Sequence, residues 1–237
     1  MISLWRICFS TVLITAGMAA ATVSGKVELR DSRDKRVSAG NDYSGVVVWL
    51  SPSRPGPAPK PQRARIVQQN KTFVPHVLPV TVGSTVDFPN FDPIFHNAFS
   101  NYSGQLFDIG LYPPGSTRSV KFTREGVVRI FCNIHSSMSA VLLVLGTPHF
   151  GMTGRDGSFS IANVEAGEYT MNVFHERAVQ ATLDKLSRKV TVGQDALPVA
   201  PLAISESGYL AIPHTNKYGR EYGPEPDDRS AYPGARK

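Results

Sequence analysis

Short apolar runs that alternate with polar residues, separated by glycine- and proline-rich turns, limit most strongly what this chain can form. The runs lie at 23–29, 45–50, 77–82, 85–88, 116–122, 126–131 and 140–145. A period of two places successive side chains on opposite faces of a strand. No long segment shows a period of 3.6 residues, and the one weak helical pattern lies at 178–187. With 20 Gly and 18 Pro available for turns, we predict an all-β chain.

Two of these runs carry further information about the sheets. The run at 140–145 reads Ala-Val-Leu-Leu-Val-Leu and is apolar at every position. A strand of that kind is buried on both faces, so we predict a central strand. Pro79 lies within the run at 77–82. Because proline cannot donate a ladder hydrogen bond, this run is predicted at a sheet edge or a bulge.

The stretch 131–138 reads Phe-Cys-Asn-Ile-His-Ser-Ser-Met and contains three residues that bind soft metals, Cys132, His135 and Met138. A thiolate, an imidazole and a thioether together favour copper. A trigonal copper site uses two histidines, one cysteine and a weak axial methionine, so one histidine is missing from this stretch. The best candidate is His96, which lies in a Phe-His-Asn-Ala-Phe-Ser segment after a predicted strand.

The spacing Cys-x2-His-x2-Met with an upstream His-Asn resembles the cupredoxins, the small blue copper proteins, and the short loop is most similar to that of amicyanin. The resemblance covers roughly 73–145 of the chain. It implies a cupredoxin Greek-key β-sandwich that binds one type 1 copper ion. The ligands that it implies are His96, Cys132, His135 and Met138. It also implies one-electron transfer with a protein redox partner, and no enzymatic activity.

The resemblance carries two further expectations about the surroundings of the metal. Asn97 should hydrogen-bond across to the cysteine loop and hold the two ligand segments together. His135 should reach the surface through an apolar patch where electrons enter, with Pro93, Ile94, Phe95 and Ile134 as the surrounding side chains. The net charge of +6 would add modest steering toward an acidic partner.

Each candidate ligand also has a plainer interpretation. Cys132 could be an inert buried thiol, which is common for free cysteine. His135 taken alone could be a surface imidazole, and Met138 could fill the core. His76 competes with His96, although a structural or surface role is favoured for it. The other histidines, His149, His175 and His214, have no ligand neighbours in the sequence.

The alternatives to a copper electron carrier come from other functional classes. A copper carrier, store or sensor without redox turnover needs the same ligands, so the sequence leaves it open. Zinc is also possible, although structural zinc sites avoid methionine. A multicopper oxidase needs His-x-His pairs, which this chain does not contain. No block of lysines and arginines of the kind that binds nucleic acid is present, although the pI is about 9.4.

A second pattern follows the copper motif. Asp-Gly-x-Phe-x-Ile begins at Asp156, and Ala-Gly-x-Tyr-x-x-x-Val begins at Ala166. Together they resemble the carboxypeptidase regulatory-like, or transthyretin-like, β-sandwich. That fold normally opens with a Gly-x-Val strand and a Gly-x-Val-Val-x-Leu strand. Both patterns occur in this chain, at 23–29 and 45–50, before the copper motif.

This order predicts that a cupredoxin domain, residues 66–147, is inserted into a smaller, discontinuous sandwich formed by 22–50 and 151–204. The stretch 51–65 is rich in proline and predicts a semi-rigid linker. Two consecutive domains would leave the first two strands without partners, and isolated two-stranded sheets are rarely stable. Similar two-part bacterial proteins are described as methylamine-utilisation proteins or plastocyanins.

The two ends of the chain carry no predicted domain. Residues 1–21 contain an early positive charge, a short apolar run and a small-x-small cleavage pattern, which predict a signal peptide. We therefore expect a periplasmic or secreted protein without stable membrane insertion after cleavage; a retained N-terminal anchor is the alternative. Cleavage would leave Cys132 as the single cysteine, and a bound metal would protect it in an oxidising compartment. Residues 205–237 predict a disordered or loosely docked polar tail.

Overall fold

The computed structural model of this protein describes residues 20–101, 104–211 and 213–223. The described strands are β1 (Ala21–Arg30), β2 (Val47–Pro52), β3 (Arg63–Arg65), β4 (Val67–Gln69), β5 (Thr72–Val74), β6 (Val77–Thr81), β7 (Thr85–Pro89), β8 (Phe99–Ser100), β9 (Phe107–Asp108), β10 (Thr117–Lys121), β11 (Gly126–Phe131), β12 (Ser139–Leu145), β13 (Phe150–Met152), β14 (Ser158–Val164), β15 (Gly167–Phe174), β16 (Arg188–Val192), β17 (Leu197–Pro198) and β18 (Leu202–Ser205). The helices are α1 (Lys35–Ser38) and α2 (Gln180–Leu186). The prediction of an all-β chain is confirmed. Neither helix is long and apolar enough to cross a membrane, a finding that covers only the residues described.

Two sheets are built from both ends of the described chain, residues 21–52 and 150–205, which are called the outer lobe below. In the first sheet, β1 lies between β14, which is antiparallel to it, and β17 and β18, which are parallel to it. The second sheet has the order β13-β2-β15-β16. The first two strands of the chain therefore pair with strands that follow the copper motif. This pairing is the one that an inserted domain requires, although independent folding of the outer lobe stays a prediction.

The intervening residues 63–145, called the inner lobe, form the remaining sheets. One sheet has the order β10-β7-β3, another the order β6-β12-β11-β8-β9, and β4 and β5 form a separate hairpin. The edge position predicted for the strand with Pro79 is confirmed, because β6 is the first strand of its sheet and pairs with β12 alone.

The strand β12 contributes side chains to the cores of both lobes. Its alternate residues Val141, Leu143 and Leu145 belong to the core of the outer lobe. The residues between them, Ala140, Leu142 and Val144, belong to the core of the inner lobe. Because side chains alternate along a strand, one β-strand can serve two cores only if it is apolar throughout. The predicted central strand is thus confirmed, and the two lobes share a continuous apolar contact.

The structure adds short elements in two connecting segments. The predicted linker 51–65 is shorter, because its first two residues end β2 and residues 63–65 form β3, which is parallel to β7. The polar stretch 30–41, which carries no predicted element, contains α1, capped by the side chain of Asp34. Residues 1–19, with most of the predicted signal peptide, lie outside the described residues.

Candidate metal centre

The candidate ligands Cys132, His135 and Met138 lie in the connection between β11 and β12, residues 132–138, called the ligand loop. The backbone N–H of Cys132 donates to the carbonyl of Met138 at 3.2 Å, and the N–H of Met138 donates to the carbonyl of His135 at 3.2 Å. These two bonds close the loop into a tight turn at the end of a regular hairpin. A short sequence spacing is therefore converted into a short distance in space.

His96 reaches the same place from a different part of the inner lobe, between β7 and β8. Its backbone exchanges two hydrogen bonds with Tyr112, with N···O distances of 3.3 and 2.9 Å. The side chain of His96 is completely buried. This bridge fixes the backbone of His96 beside the ligand loop.

The structure brings three of the four predicted ligands together. The Sγ atom of Cys132 lies 3.8 Å from Nδ1 of His96 and 3.7 Å from Nδ1 of His135. One ligand atom of each residue falls within 4.8 Å of the others, and all three residues are buried. The two imidazole rings meet edge to face, with centroids 4.8 Å apart. A His–Cys–His cluster is therefore present at this end of the inner lobe.

These separations fit a single metal ion. With metal–nitrogen and metal–sulfur bonds of about 2.0 and 2.3 Å, a trigonal arrangement places nitrogen and sulfur about 3.7 Å apart. The observed S···N distances of 3.7 and 3.8 Å agree with that value. Two imidazoles and one thiolate are also the equatorial donor set of a blue copper site. The cluster thus fits copper in both distance and donor chemistry.

Met138 lies at the end of the ligand loop and is completely buried in the inner core. Its backbone bonds both Cys132 and His135, as described above. This position agrees with the predicted axial role and also with a packing role. The assignment of Met138 as a ligand therefore stays a prediction.

A buried carboxylate holds His96 from the side away from Cys132. Oδ2 of Asp92 lies 2.7 Å from Nε2 of His96. The same carboxylate accepts the backbone N–H groups of Asn70 and Lys71, at 2.6 and 2.9 Å. Both of those residues have positive φ and form the two-residue turn between β4 and β5. Asp92 therefore connects the tip of this hairpin to the imidazole and orients the ring.

The contact predicted for Asn97 is present. Its side-chain oxygen accepts a hydrogen bond from the backbone N–H of Asn133 at 2.6 Å. Its side-chain nitrogen donates to Asp108 at 3.4 Å. Asn97 is buried, so this bond is shielded from water. It joins the His96 segment to the ligand loop.

A second buried polar pair lies in the core beneath the cluster. The Tyr112 hydroxyl donates to the carbonyl of Phe88 at 2.9 Å and accepts a hydrogen bond from the side-chain nitrogen of Gln68. Burial, with a smaller contribution from the nearby Cys132, raises the pKa of Tyr112. The phenol is therefore neutral at ordinary pH and acts as a fixed donor in the core below the ligands.

Of the other histidines, His214 lies against the ligand loop, with Nε2 2.9 Å from the carbonyl of Ser136, whereas His76 is held elsewhere. His76 contacts Glu176 of the outer lobe at 2.5 Å and the carbonyl of Ser139 at 3.0 Å. Among the residues that the structure describes, His96, Cys132 and His135 are the only three His, Cys, Asp or Glu side chains whose ligand atoms lie close enough together to share a metal ion.

The expected surface position of His135 is not found. His135 is completely buried, and Ile94, expected to line the entry patch, is 4% exposed. Of the other expected patch residues, Pro93 and Phe95 are exposed and Ile134 is partly exposed; Phe91 and Leu111 are further exposed apolar side chains in this region. Phe95 and Leu111 are the neighbours of the bridged pair His96 and Tyr112, so they lie beside the His96 segment rather than around His135.

A C-terminal segment packs against the ligand loop, which the sequence does not predict. The predicted tail begins at residue 205, but the described part of it is docked. Ser205 ends β18, and Glu206 is buried. Farther on, Tyr222 donates to the carbonyl of Cys132 at 2.8 Å. The segment has no apolar pattern, so its polar contacts with the ligand loop leave no periodic signal.

No protein-family model matches the chain, and no curated protein matches it. Solved structures similar to part of the chain include a purple cupredoxin from Nitrosopumilus maritimus, with 26% identity and a TM-score of 0.32 over 35% of this chain and 99% of that one. A reduced amicyanin variant shows 20% identity and a TM-score of 0.33 over 35% of this chain and 82% of that one. A copper-containing nitrite reductase from Thermus scotoductus SA-01 shows 24% identity and a TM-score of 0.35 over 42% of this chain and 25% of that one.

Proposed function

We propose that this chain is an exported type 1 copper protein of the cupredoxin kind that carries single electrons. The observation that carries the proposal is the approach of two imidazole Nδ1 atoms, at 3.7 and 3.8 Å, to one buried cysteine sulfur. A structural thiol needs no such pair of nitrogen donors around it. The motif Cys-x2-His-x2-Met supports the same assignment independently of the distances.

His96, Cys132 and His135 would hold the ion, with Met138 as the weak axial ligand. Bound there, copper would supply a one-electron couple between its cupric and cuprous states. The protein surrounds these ligands with apolar core residues, and the three donors are fully buried. Water is thereby kept from the site.

The surrounding hydrogen bonds hold the ligands in fixed positions. Asp92 orients the ring of His96, and Asn97 ties the His96 segment to the ligand loop. Such outer contacts determine ring orientation and ligand basicity. A frame that does not move when the charge of the ion changes by one is suited to rapid electron exchange.

We propose a carrier rather than an enzyme because a substrate would have no direct access to donors that are completely buried. Its partner would be a redox protein that docks transiently over a small apolar area. Phe95 and Leu111, 37% and 52% exposed beside the His96 segment, are the best candidates for that contact. Export by the predicted signal peptide would place both proteins outside the cytoplasm.

A copper carrier, store or sensor without redox turnover is the second candidate. The observation in its favour is the complete burial of His135, because electrons then have no exposed edge of this ligand through which to enter. The two functions differ in what leaves the site. An electron carrier exchanges electrons quickly and keeps its metal, whereas a copper carrier gives up the metal to an acceptor.

The experiment follows electron exchange and copper retention in the copper-loaded protein. We expect reversible reduction by ascorbate and reoxidation by ferricyanide over many cycles, with the metal retained in the presence of a competing chelator. A control with Cys132→Ser should show no such cycling. Loss of copper to the chelator after the first reduction, without repeated redox cycling, would favour the copper carrier instead.

A further inference from the structure

Residues 213–223, called the strap below, lie directly against the ligand loop. The Tyr222 hydroxyl donates to the carbonyl of Cys132 at 2.8 Å. Nε2 of His214 lies 2.9 Å from the carbonyl of Ser136, and since a carbonyl only accepts, this nitrogen is the donor. Carbonyl groups in a tight loop need donors from outside the loop, and the strap supplies one at Cys132 and another at Ser136.

Further contacts fix the strap along the length of the loop. The ring of His214 stacks on Phe131, with centroids 3.9 Å apart and an interplanar angle of 26°. The backbone N–H of Lys217 donates to the side chain of Asn133 at 3.0 Å. The Lys217 ammonium group lies 2.7 Å from Asp108, and this bond raises the pKa of Lys217.

The two aromatic side chains of the strap also support each other. The Tyr222 hydroxyl lies 3.2 Å from Nδ1 of His214, and the two rings meet edge to face with centroids 5.1 Å apart. Displacing one ring would therefore remove a contact from the other. The two side chains form one unit, so loss of either should loosen the other.

The chain that leads to the strap is anchored on the outer lobe. Glu206 follows β18 and is buried. Its carboxylate accepts hydrogen bonds from the side chains of Ser32 at 2.6 Å, His175 at 2.8 Å and Arg177 at 3.0 Å. The C-terminal segment thus runs from a fixed point on the outer lobe to the ligand loop of the inner lobe.

The burial pattern shows what the strap covers. Ser136 and Ser137 of the ligand loop are exposed, but Cys132 and His135 in the same loop are completely buried. We propose that the strap screens Cys132 and His135 from solvent, and that Tyr222 and His214 are positioning residues that hold the loop in its metal-binding shape. The positioning role rests on the proposed function, whereas the screening of Cys132 does not.

The test uses the full-length, metal-free protein and the rate at which Cys132 reacts with an aromatic disulfide. In this reaction the thiolate attacks the disulfide, a mixed disulfide forms, and the coloured aromatic thiolate leaves. The variant Tyr222→Phe keeps the ring and removes the hydroxyl, which donates to Cys132 and lies beside Nδ1 of His214. If reaction requires the strap to open, the loss of one hydrogen bond should accelerate it about 3- to 10-fold.

Tyr218→Phe is the matched control, because Tyr218 lies in the same strap, is 69% exposed and presents its ring to Lys217 rather than to the loop. Its reaction rate should equal that of the unchanged protein. The double variant His214→Ala with Tyr222→Phe should react about 10- to 100-fold faster, since both hydrogen bonds to the loop carbonyls are lost. Cys132→Ser measures any background from Cys8.

Thermal unfolding of each variant separates strap opening from general instability. A rate increase at an unchanged unfolding temperature supports the proposal, and equal rates for Tyr222→Phe and the unchanged protein would overturn it. Positioning is tested in the copper-loaded proteins, where the charge-transfer band should shift in Tyr222→Phe and not in Tyr218→Phe. If no variant forms that band, the proposed function fails while the thiol rates still decide whether the strap screens Cys132.

Discussion

Oδ2 of Asp92 lies 2.7 Å from Nε2 of His96, and both side chains are buried. The carboxylate accepts hydrogen bonds from this ring and from the backbone of Asn70 and Lys71. An acidic residue four positions before a candidate ligand thus ties that ligand to the tip of the β4–β5 hairpin. The cluster is held by its surroundings as well as by its own loop.

Asp92→Asn should weaken copper binding about 10- to 100-fold, the usual effect of removing an outer contact of a metal-binding histidine. In the variant, an NH₂ group replaces one carboxylate oxygen. That group is a donor, and it would face the donor groups of His96 or of the Asn70–Lys71 backbone. Asp87→Asn is the matched control, because Asp87 lies in the same lobe but pairs with Arg63 and Ser119. Competition titrations with a chelator measure both affinities, and equal values for the two variants would contradict the orienting role.

Two histidines of the inner lobe should respond differently to substitution. His96→Ala should remove the thiolate-to-copper band, because His96 Nδ1 lies 3.8 Å from Sγ of Cys132. His76→Ala should leave the band intact, because His76 bonds Glu176 and Ser139 instead. Visible absorption of the copper-loaded variants decides between them. The reverse result would mean that the second imidazole ligand has been assigned to the wrong segment.

The contact between His76 and Glu176 should make the stability of the protein depend on pH. The hydrogen bond that His76 donates to Glu176 holds the pKa of His76 above its ordinary value of 6.5. Although burial acts in the opposite direction, His76 and Arg129 hold the pKa of Glu176 below its ordinary value. While Glu176 is ionised, the stabilisation that the His76–Glu176 pair gives the folded protein is complete below pH 6.5. It is lost as the pH rises through the raised pKa of His76.

The measurement is the unfolding temperature of the unchanged protein minus that of His76→Gln, followed from pH 6 to pH 9. The difference should fall by about 2–4 °C, which corresponds to about 1 kcal/mol for a pair in which the His76 side chain is half-exposed. Taking the difference matters because burial lowers the pKa of His175, which makes stability change with pH in the opposite sense. A difference that is constant with pH would show that this pair does not stabilise the contact between the lobes.

The inserted arrangement predicts that the outer lobe folds without the inner one. Phe150 of β13 lies opposite Trp49 of β2 in an antiparallel pair, so the chain leaves and re-enters the outer lobe at neighbouring points. A polypeptide that joins residues 20–52 to 148–211 by a short glycine–serine linker should therefore unfold cooperatively. Residues 63–147 alone should bind copper. An unfolded joined polypeptide, judged by circular dichroism, would contradict the predicted domain organisation.

The parts of the site that the sequence predicts are those built from neighbouring residues. Cys132, His135 and Met138 stand within one loop, so their spacing and side-chain chemistry are visible directly. His96 could be predicted as a ligand because the loop lacked a second imidazole and because a His-Asn pair followed a predicted strand. The shared strand β12 was predicted because a strand buried on both faces must be apolar throughout.

The parts that escaped prediction depend on contacts between distant polar residues. Tyr222 and Cys132 are 90 residues apart in the chain, and no apolar periodicity marks the segment between Glu206 and Tyr222. His135 is completely buried, so its surface position was expected in error, and the proposed screening by the strap rests on contacts of this distant kind. The strand β3 was hidden for a similar reason, because Arg-Ala-Arg at a sheet edge resembles a polar linker.

The most direct measurement for the whole account is a copper titration of the purified protein, followed by visible absorption and repeated with Cys132→Ser. We predict one copper ion per chain and an intense thiolate-to-copper band that reaches its maximum at one equivalent. The serine variant should show no band, since serine offers no thiolate. A band of equal intensity in Cys132→Ser, or a protein that takes up no copper, would contradict the assignment of His96, Cys132 and His135 as the metal centre.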